Sequence, residues 1–84
     1  MAMEFNFQNV KQNRISSNIA DQIQKAILNG DLKEGDRLPS ENDLITHFGV
    51  SKSSLREAFR TLEAYGLLEI KQGVNGGAFV KKVD

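Results

Sequence analysis

The chain has 84 residues, no cysteine and 39% apolar residues, and its eleven basic side chains are balanced by eleven acidic ones. That length allows one small domain, hiding only ~60% of the surface its unfolded chain exposes, and the missing thiols exclude disulfides, thiol catalysis and thiolate metal sites. Zero net charge argues against a uniformly basic nucleic-acid binder, and the single histidine, His47, cannot build a His-rich zinc site.

No apolar run approaches the ~18 residues of a membrane span, and no signal-peptide pattern opens the chain. The expected compartment is the cytoplasm, with no membrane partner. Charge is unevenly placed, however. Residues 1–50 hold five basic and seven acidic side chains, and residues 51–84 hold six and four. Within residues 51–60, Lys52, Arg56 and Arg60 stand against Glu57 alone. A neutral chain can therefore still turn a basic face to an anion.

Residues 1–14 show no sustained periodicity and read as a flexible N-terminal arm, with Phe5, Phe7 and Val10 available to pack. Ile15, Ile19, Ile23 and Ile27 then fall at four-residue steps, the stripe of a helix buried on one face. Ser16 or Ser17 is a suitable cap and Asn29-Gly30 a left-handed stop, so the helix is predicted over roughly 16–29. Residues 30–37 form a turn-rich loop, and Pro39 keeps Leu38 in a short extended piece. Ser40-Glu41-Asn42-Asp43 resembles a capping box with aspartate in the acidic place. It opens a second helix over about 41–48, with Leu44, Ile45 and Phe48 as its stripe and Gly49 as its end.

Only Gly49-Val50 separates that helix from Ser51, a second good cap, with Val50 placed to plug the gap under the turn. Leu55, Ala58, Phe59, Leu62 and Tyr65 run along one face of the third helix, which Gly66 ends. Two helices joined so tightly read as a helix-turn-helix. The period then switches to two: Leu68 and Ile70 alternate with Glu69 and Lys71 as a half-buried strand does. Gly73-Val74-Asn75-Gly76-Gly77 is a flexible turn, and Ala78–Lys81 a second strand. The fold class is mainly α with a small β-hairpin: three helices, a short strand and a two-stranded wing. This winged helix-turn-helix occupies residues 15–84, its helix-turn-helix unit about 40–66 and its wing about 67–82.

With Leu55, Phe59 and Leu62 inward, Lys52, Ser53, Arg56 and Arg60 lie largely outside. Ser51, Lys52, Ser53 and Ser54 make a hydroxyl-rich first turn whose free amides and dipole attract phosphate. A helix of this width enters the DNA major groove with its N-terminal residues leading. On an arbitrary helix these cations would be a solvated face; the tight turn before and the wing after favour DNA. In the wing, Gln72 and Asn75 can reach minor-groove acceptors, and Gly73 and Gly76 permit close approach to the sugar-phosphate backbone. A hairpin that needs positive φ would explain those glycines by itself. A nucleotide-cradling loop fits poorly, because no Lys-Ser/Thr and no helix follow Gly77. His47, near a helix end, reads as a surface or partly packed residue, and Glu41 and Asp43 as capping carboxylates. No acid pair or Ser/His/Asp arrangement stands out in so small a domain, so neither enzyme activity nor a cofactor is expected.

Four segments carry a resemblance: Leu38-Pro39-Ser40-Glu41, the run from Phe48 to Ala58, Leu62-Glu63-Ala64-Tyr65-Gly66-Leu67, and Gly76-Gly77-Ala78-Phe79-Val80. Together they resemble the DNA-binding domain of GntR-family bacterial transcription regulators over roughly residues 15–82. The resemblance implies that the second and third helices form the reading unit and that the wing enters the minor groove of the same half-site. It puts Ser51, Ser53, Ser54 and Arg56 at phosphates, Lys52 at base edges, Gln72 and Gly73 in the wing contact, and Arg37 and Ser40 near the flanking backbone. Two departures stand out. Asn42 replaces a commoner arginine after the Ser-Glu pair, and Lys52 stands where arginine is frequent. Both positions help select bases, so the operator cannot be borrowed from relatives.

Family members usually continue into a C-terminal effector-binding and dimerising domain, so these residues are expected to be a fragment of a homodimer that reads a two-fold symmetric double-stranded operator. The expected function is sequence-specific DNA binding within a ligand-responsive bacterial transcription regulator. The alternative is a winged-helix module for protein or RNA, its third-helix cations facing an acidic partner.

Overall fold

A computed structural model describes residues 10–82. Three helices are followed by a hairpin: α1 Val10–Leu28, α2 Glu41–Phe48, α3 Lys52–Ala64, β1 Leu68–Lys71 and β2 Gly77–Val80. No described helix is long and apolar enough to cross a membrane.

α1 starts earlier than the cap rule predicts. Ser16 is buried inside the helix, and its hydroxyl donates back to the Asn13 carbonyl at 3.1 Å. Such back-bonding satisfies a serine in mid-helix, so Ser16 need not mark a start. Residues 10–14, expected in the arm, are helical; the rest of that arm, with Phe5 and Phe7, lies outside the described residues. The other end is as expected. Gly30 takes φ 84°, and the chain folds back so that the Leu32 amide donates to the Ala26 carbonyl at 3.0 Å.

Ile19, Ala20 and Ile23 of α1 pack across α3, where Leu55, Ala58, Phe59 and Leu62 are buried. Leu38, Leu44, Leu68, Ala78 and Val80 complete the core, with Ile15, Ile27, Phe48 and Val50 half-buried at its margin. Tyr65 does not join it and is 70% exposed. The helical register would carry residue 65 inward, but α3 ends at Ala64 and the chain turns at Gly66. The Leu67 amide donates to the Leu62 carbonyl at 2.9 Å, and Leu68, only 1% exposed, takes the inward place instead.

β1 and β2 pair antiparallel, Leu68 opposite Val80 and Lys71 opposite Gly77. The expected short strand is reduced to one bridge, Arg37 with Phe79. Its flanks are still bonded: the Leu38 amide donates to the Ala78 carbonyl, and the amides of Gly35 and Val80 donate to the carbonyls of Val80 and Asp36, each at 2.8 Å. β2 is therefore held on both edges, which fixes the root of the wing against the helices.

Candidate nucleic-acid interface

Local chemistry sets the helix-turn-helix. The Ser40 hydroxyl accepts from the Asp43 amide at 3.1 Å and begins α2. Gly49 ends it at φ 67°, ψ 41°, a conformation costly to a residue with a Cβ, and its amide donates to the Ile45 carbonyl at 2.8 Å. Ser51 follows at once as the cap of α3, accepting from the Ser54 amide at 3.2 Å. Three residues thus separate α2 from α3, whose first turn faces outward.

Lys52 and Ser53 are exposed on that turn, beside the Ser51 hydroxyl, which lies 3.1 Å from the Ser53 hydroxyl. Ser54 is different. It is 4% exposed, and its hydroxyl lies 3.0 Å from that of Ser51, which donates to it. Ser54 shares the face of Ala58 and Leu62, at steps of four, so it packs under the helix and is unavailable to a phosphate. Gly76 likewise is buried. Its amide donates to the Gly73 carbonyl at 2.9 Å, closing the wing turn; its part is internal to the hairpin rather than a surface of approach.

Between α2, α3 and the wing lies a cleft of about 590 Å³. Arg37, Ser40, Arg56, Gln72 and Gly73 line it, five of the positions expected from sequence. Ser51, Lys52, Ser53, Asn42 and Asn75 are exposed outside it, Ser51 as the cap of α3, Lys52 and Ser53 on its first turn, Asn42 on the first turn of α2 and Asn75 at the wing tip. Arg60 and Lys71 line the cleft as well, and neither was among the expected site residues. Arg60 stands one turn beyond Arg56 on the same face, so helical periodicity was signal enough for it. Lys71 lies at the end of β1, its ammonium 5.0 Å from the centre of the Phe79 ring, a cation–π contact that draws it diagonally across the hairpin, since Phe79 pairs with Glu69.

Two carboxylates temper these cations. Arg56 Nε donates to Glu41 Oε2 at 3.2 Å, with the two side chains 57% and 38% exposed. An ion pair so open to water is worth about 0–1 kcal/mol, so Arg56 is oriented by Glu41 and not locked to it. Glu63 lines the far end of the cleft. Arg37 lies across Gly77, where a Cβ would come within 2.9 Å of its Nε; the bare backbone there leaves room for the guanidinium over β2. His47 is exposed and meets the Phe48 ring edge-on, centroids 5.3 Å apart.

Residues 15–80 match the family described as "Bacterial regulatory proteins, gntR family". The chain belongs to the GntR family. The span matched runs from the first inward isoleucine to the end of the wing, so every element of the cleft is inside it. Among curated relatives, the chain is 47% identical over 64 residues to the mannosyl-D-glycerate transport/metabolism system repressor MngR of Escherichia coli K12, covering 76% of this chain and 26% of that protein. It is 47% identical over 58 residues to the transcriptional regulator LutR of Bacillus subtilis, covering 69% and 26%. The chain thus spans about a quarter of the length of these relatives.

Solved structures of DNA-binding regulators superpose on this one. The AraR DNA-binding domain, determined in complex with operator ORR3, matches at TM-score 0.74 and 31% identity over 95% of this chain and 87% of that one. YtrA of Sulfolobus acidocaldarius, a GntR-family transcription factor, matches at TM-score 0.73 and 32% identity over 82% and 70%. The fold is accordingly the winged helix of the GntR DNA-binding domain, and the family is one of transcription regulators, not of enzymes.

Proposed function

We propose that this GntR domain binds double-stranded DNA sequence-specifically, with α3 in the major groove and the wing in the minor groove of one half-site. The observation that carries the proposal is the pair of serine caps around Gly49. They present the first turn of α3, with Lys52, Ser53 and the free helix amides, beside a cleft edged by Arg37, Arg56, Arg60 and Lys71. Helix amides and arginines hold phosphates and fix the register, while the side chains leading the helix meet base edges. The likeness to the AraR domain, whose structure was determined on operator DNA, supports DNA binding by this domain. The domain is the reading head of a ligand-responsive cytoplasmic regulator, and two copies, joined through a C-terminal effector-binding domain, bind a two-fold symmetric operator.

Lys52 and Arg56 are expected to fail differently. Arg56→Ala removes a phosphate contact, so binding weakens on all sequences alike and the slope of log affinity against log salt falls by about 1. Lys52→Ala removes a base contact and costs ~1–3 kcal/mol of discrimination at one position. Gel shifts over a salt series, run on selected and scrambled sites, separate the two. Uniform loss with unchanged site preference in both variants would remove Lys52 from the base edges, and affinity that ignores salt would point to a protein partner instead.

Asn42 supplies a second test of the same surface. It is exposed on the first turn of α2. Asparagine suits the N6 and N7 of adenine and is short, whereas arginine spans guanine O6 and N7 with two hydrogen bonds. Asn42→Arg is expected to move preference toward guanine at one position per half-site. Selection from a random DNA pool reads this directly; identical motifs from both proteins would mean that residue 42 does not face the groove.

A further inference from the structure

We propose that Val74, at the tip of the wing, is a specificity-determining residue that packs its methyl groups into the minor groove and selects A·T over G·C pairs there. The inference rests on the DNA-binding reading above. Val74 and Asn75 occupy the two central positions of a turn closed by the Gly76 amide on the Gly73 carbonyl at 2.9 Å. Val74 is 101% exposed, so its side chain touches nothing that could stabilise the hairpin. A β-branched apolar residue is also a poor choice for such a turn, where Gly, Asn, Asp, Ser and Pro are favoured. It contributes neither packing nor turn propensity to the fold. The other large apolar residues exposed among those described, Val10, Leu28 and Tyr65, lie at helix ends and not on the wing.

The wing is narrow where Val74 projects, since Gly73 and Gly76 flank its turn without side chains. Lys71 ends the strand that leads into this turn and lines the basic cleft, with its ammonium drawn back over the Phe79 ring. In the minor groove, A·T pairs offer only the acceptors N3 and O2, whereas G·C adds the guanine N2 amino group. A methyl group pressed against that amino group strips its water and returns no acceptor, which disfavours G·C. The amide of Asn75, exposed beside it, can donate to N3 or O2 of an A·T pair. Such acceptors are present in both kinds of pair, so Asn75 anchors the tip and Val74 supplies the choice.

The test is selection from a random DNA pool with the 84-residue chain and its Val74→Ala and Val74→Thr variants, with thermal unfolding run in parallel. Because Val74 contacts no core residue, all three proteins should unfold at the same temperature. The unaltered chain should return a major-groove motif flanked by A·T at the wing position. Val74→Ala should keep the major-groove motif, lose the flanking preference and bind A·T-flanked sites roughly tenfold more weakly. Val74→Thr keeps the shape but adds an acceptor for the guanine amino group, so it should accept G·C at the flank with the motif otherwise unchanged. Flanks and affinities identical across the three proteins would overturn the role of Val74 and leave DNA binding standing. No motif from the unaltered chain would overturn the DNA-binding reading itself, and this proposal with it.

Discussion

Leu55→Ala should remove a large part of the domain's stability, whereas Lys52→Ala, one helical turn away, should leave it within about 0.5 kcal/mol of the starting value. Leu55 is 0% exposed at the centre of α3, in the core that α1, α2 and the hairpin share. Truncating such a leucine removes transfer free energy and leaves a cavity that helices on both sides cannot fully close, which costs ~2–5 kcal/mol. A domain this small sits toward the lower end of the ~5–15 kcal/mol that separates native from unfolded chains. At ~4–8 °C per kcal/mol, the melting temperature should fall by ten degrees or more. Urea unfolding followed by circular dichroism measures it. A loss under about 1 kcal/mol would show that α3 does not carry the packing of the fold, and the outward placement of Lys52 and Arg56 would fall with it.

Gly76→Ala should disable the wing and spare the helices. A Cβ at this position would run into the Lys71 carbonyl oxygen and would lie 2.8 Å from the Gln72 carbonyl carbon and 2.9 Å from the Gly73 oxygen. All three are backbone atoms of the same turn, so no side chain can swing aside to make room. The turn must open, breaking the hydrogen bond between the Gly76 amide and the Gly73 carbonyl. Overpacking of this kind costs ~1–3 kcal/mol. The damage stays local, because the helical core makes no use of residues 72–76. Amide resonances of residues 71–77 should shift or broaden while those of α1 to α3 keep their positions, and DNA binding should weaken through loss of the minor-groove contacts. An unchanged spectrum and unchanged binding would show that the turn tolerates a side chain and that Gly76 is not its closing point.

The sequence by itself determined the parts of this protein whose causes are local. α2 lies between Ser40 and Gly49 and α3 begins at Ser51, because each boundary is made by one side chain or one positive φ within three residues of it. The inward stripes of α1 and α3 and the alternation of β1 are equally local, since helical and extended geometry dictate which side chains share a face. One misplacement was of the same kind and open to the same rule: Ser54 falls in line with Ala58 and Leu62, although the run of hydroxyls around Ser51 suggested a wholly exposed turn.

Tertiary structure decided the rest. Ser16 has the residue type of a cap, yet the helix runs through it, because the hydroxyl can satisfy itself on the Asn13 carbonyl and the packed stripe on Ile19 and Ile23 supports further turns. Tyr65 and Leu68 compete for one inward place, and the turn at Gly66 awards it to the strand residue. The pairing of Arg56 with Glu41, the passage of Arg37 over Gly77, and the cleft that gathers Arg37, Arg56, Arg60 and Lys71 join residues from separate elements. Their separation along the chain leaves no periodic trace, and only packing the three helices against the hairpin brings these charges to one face.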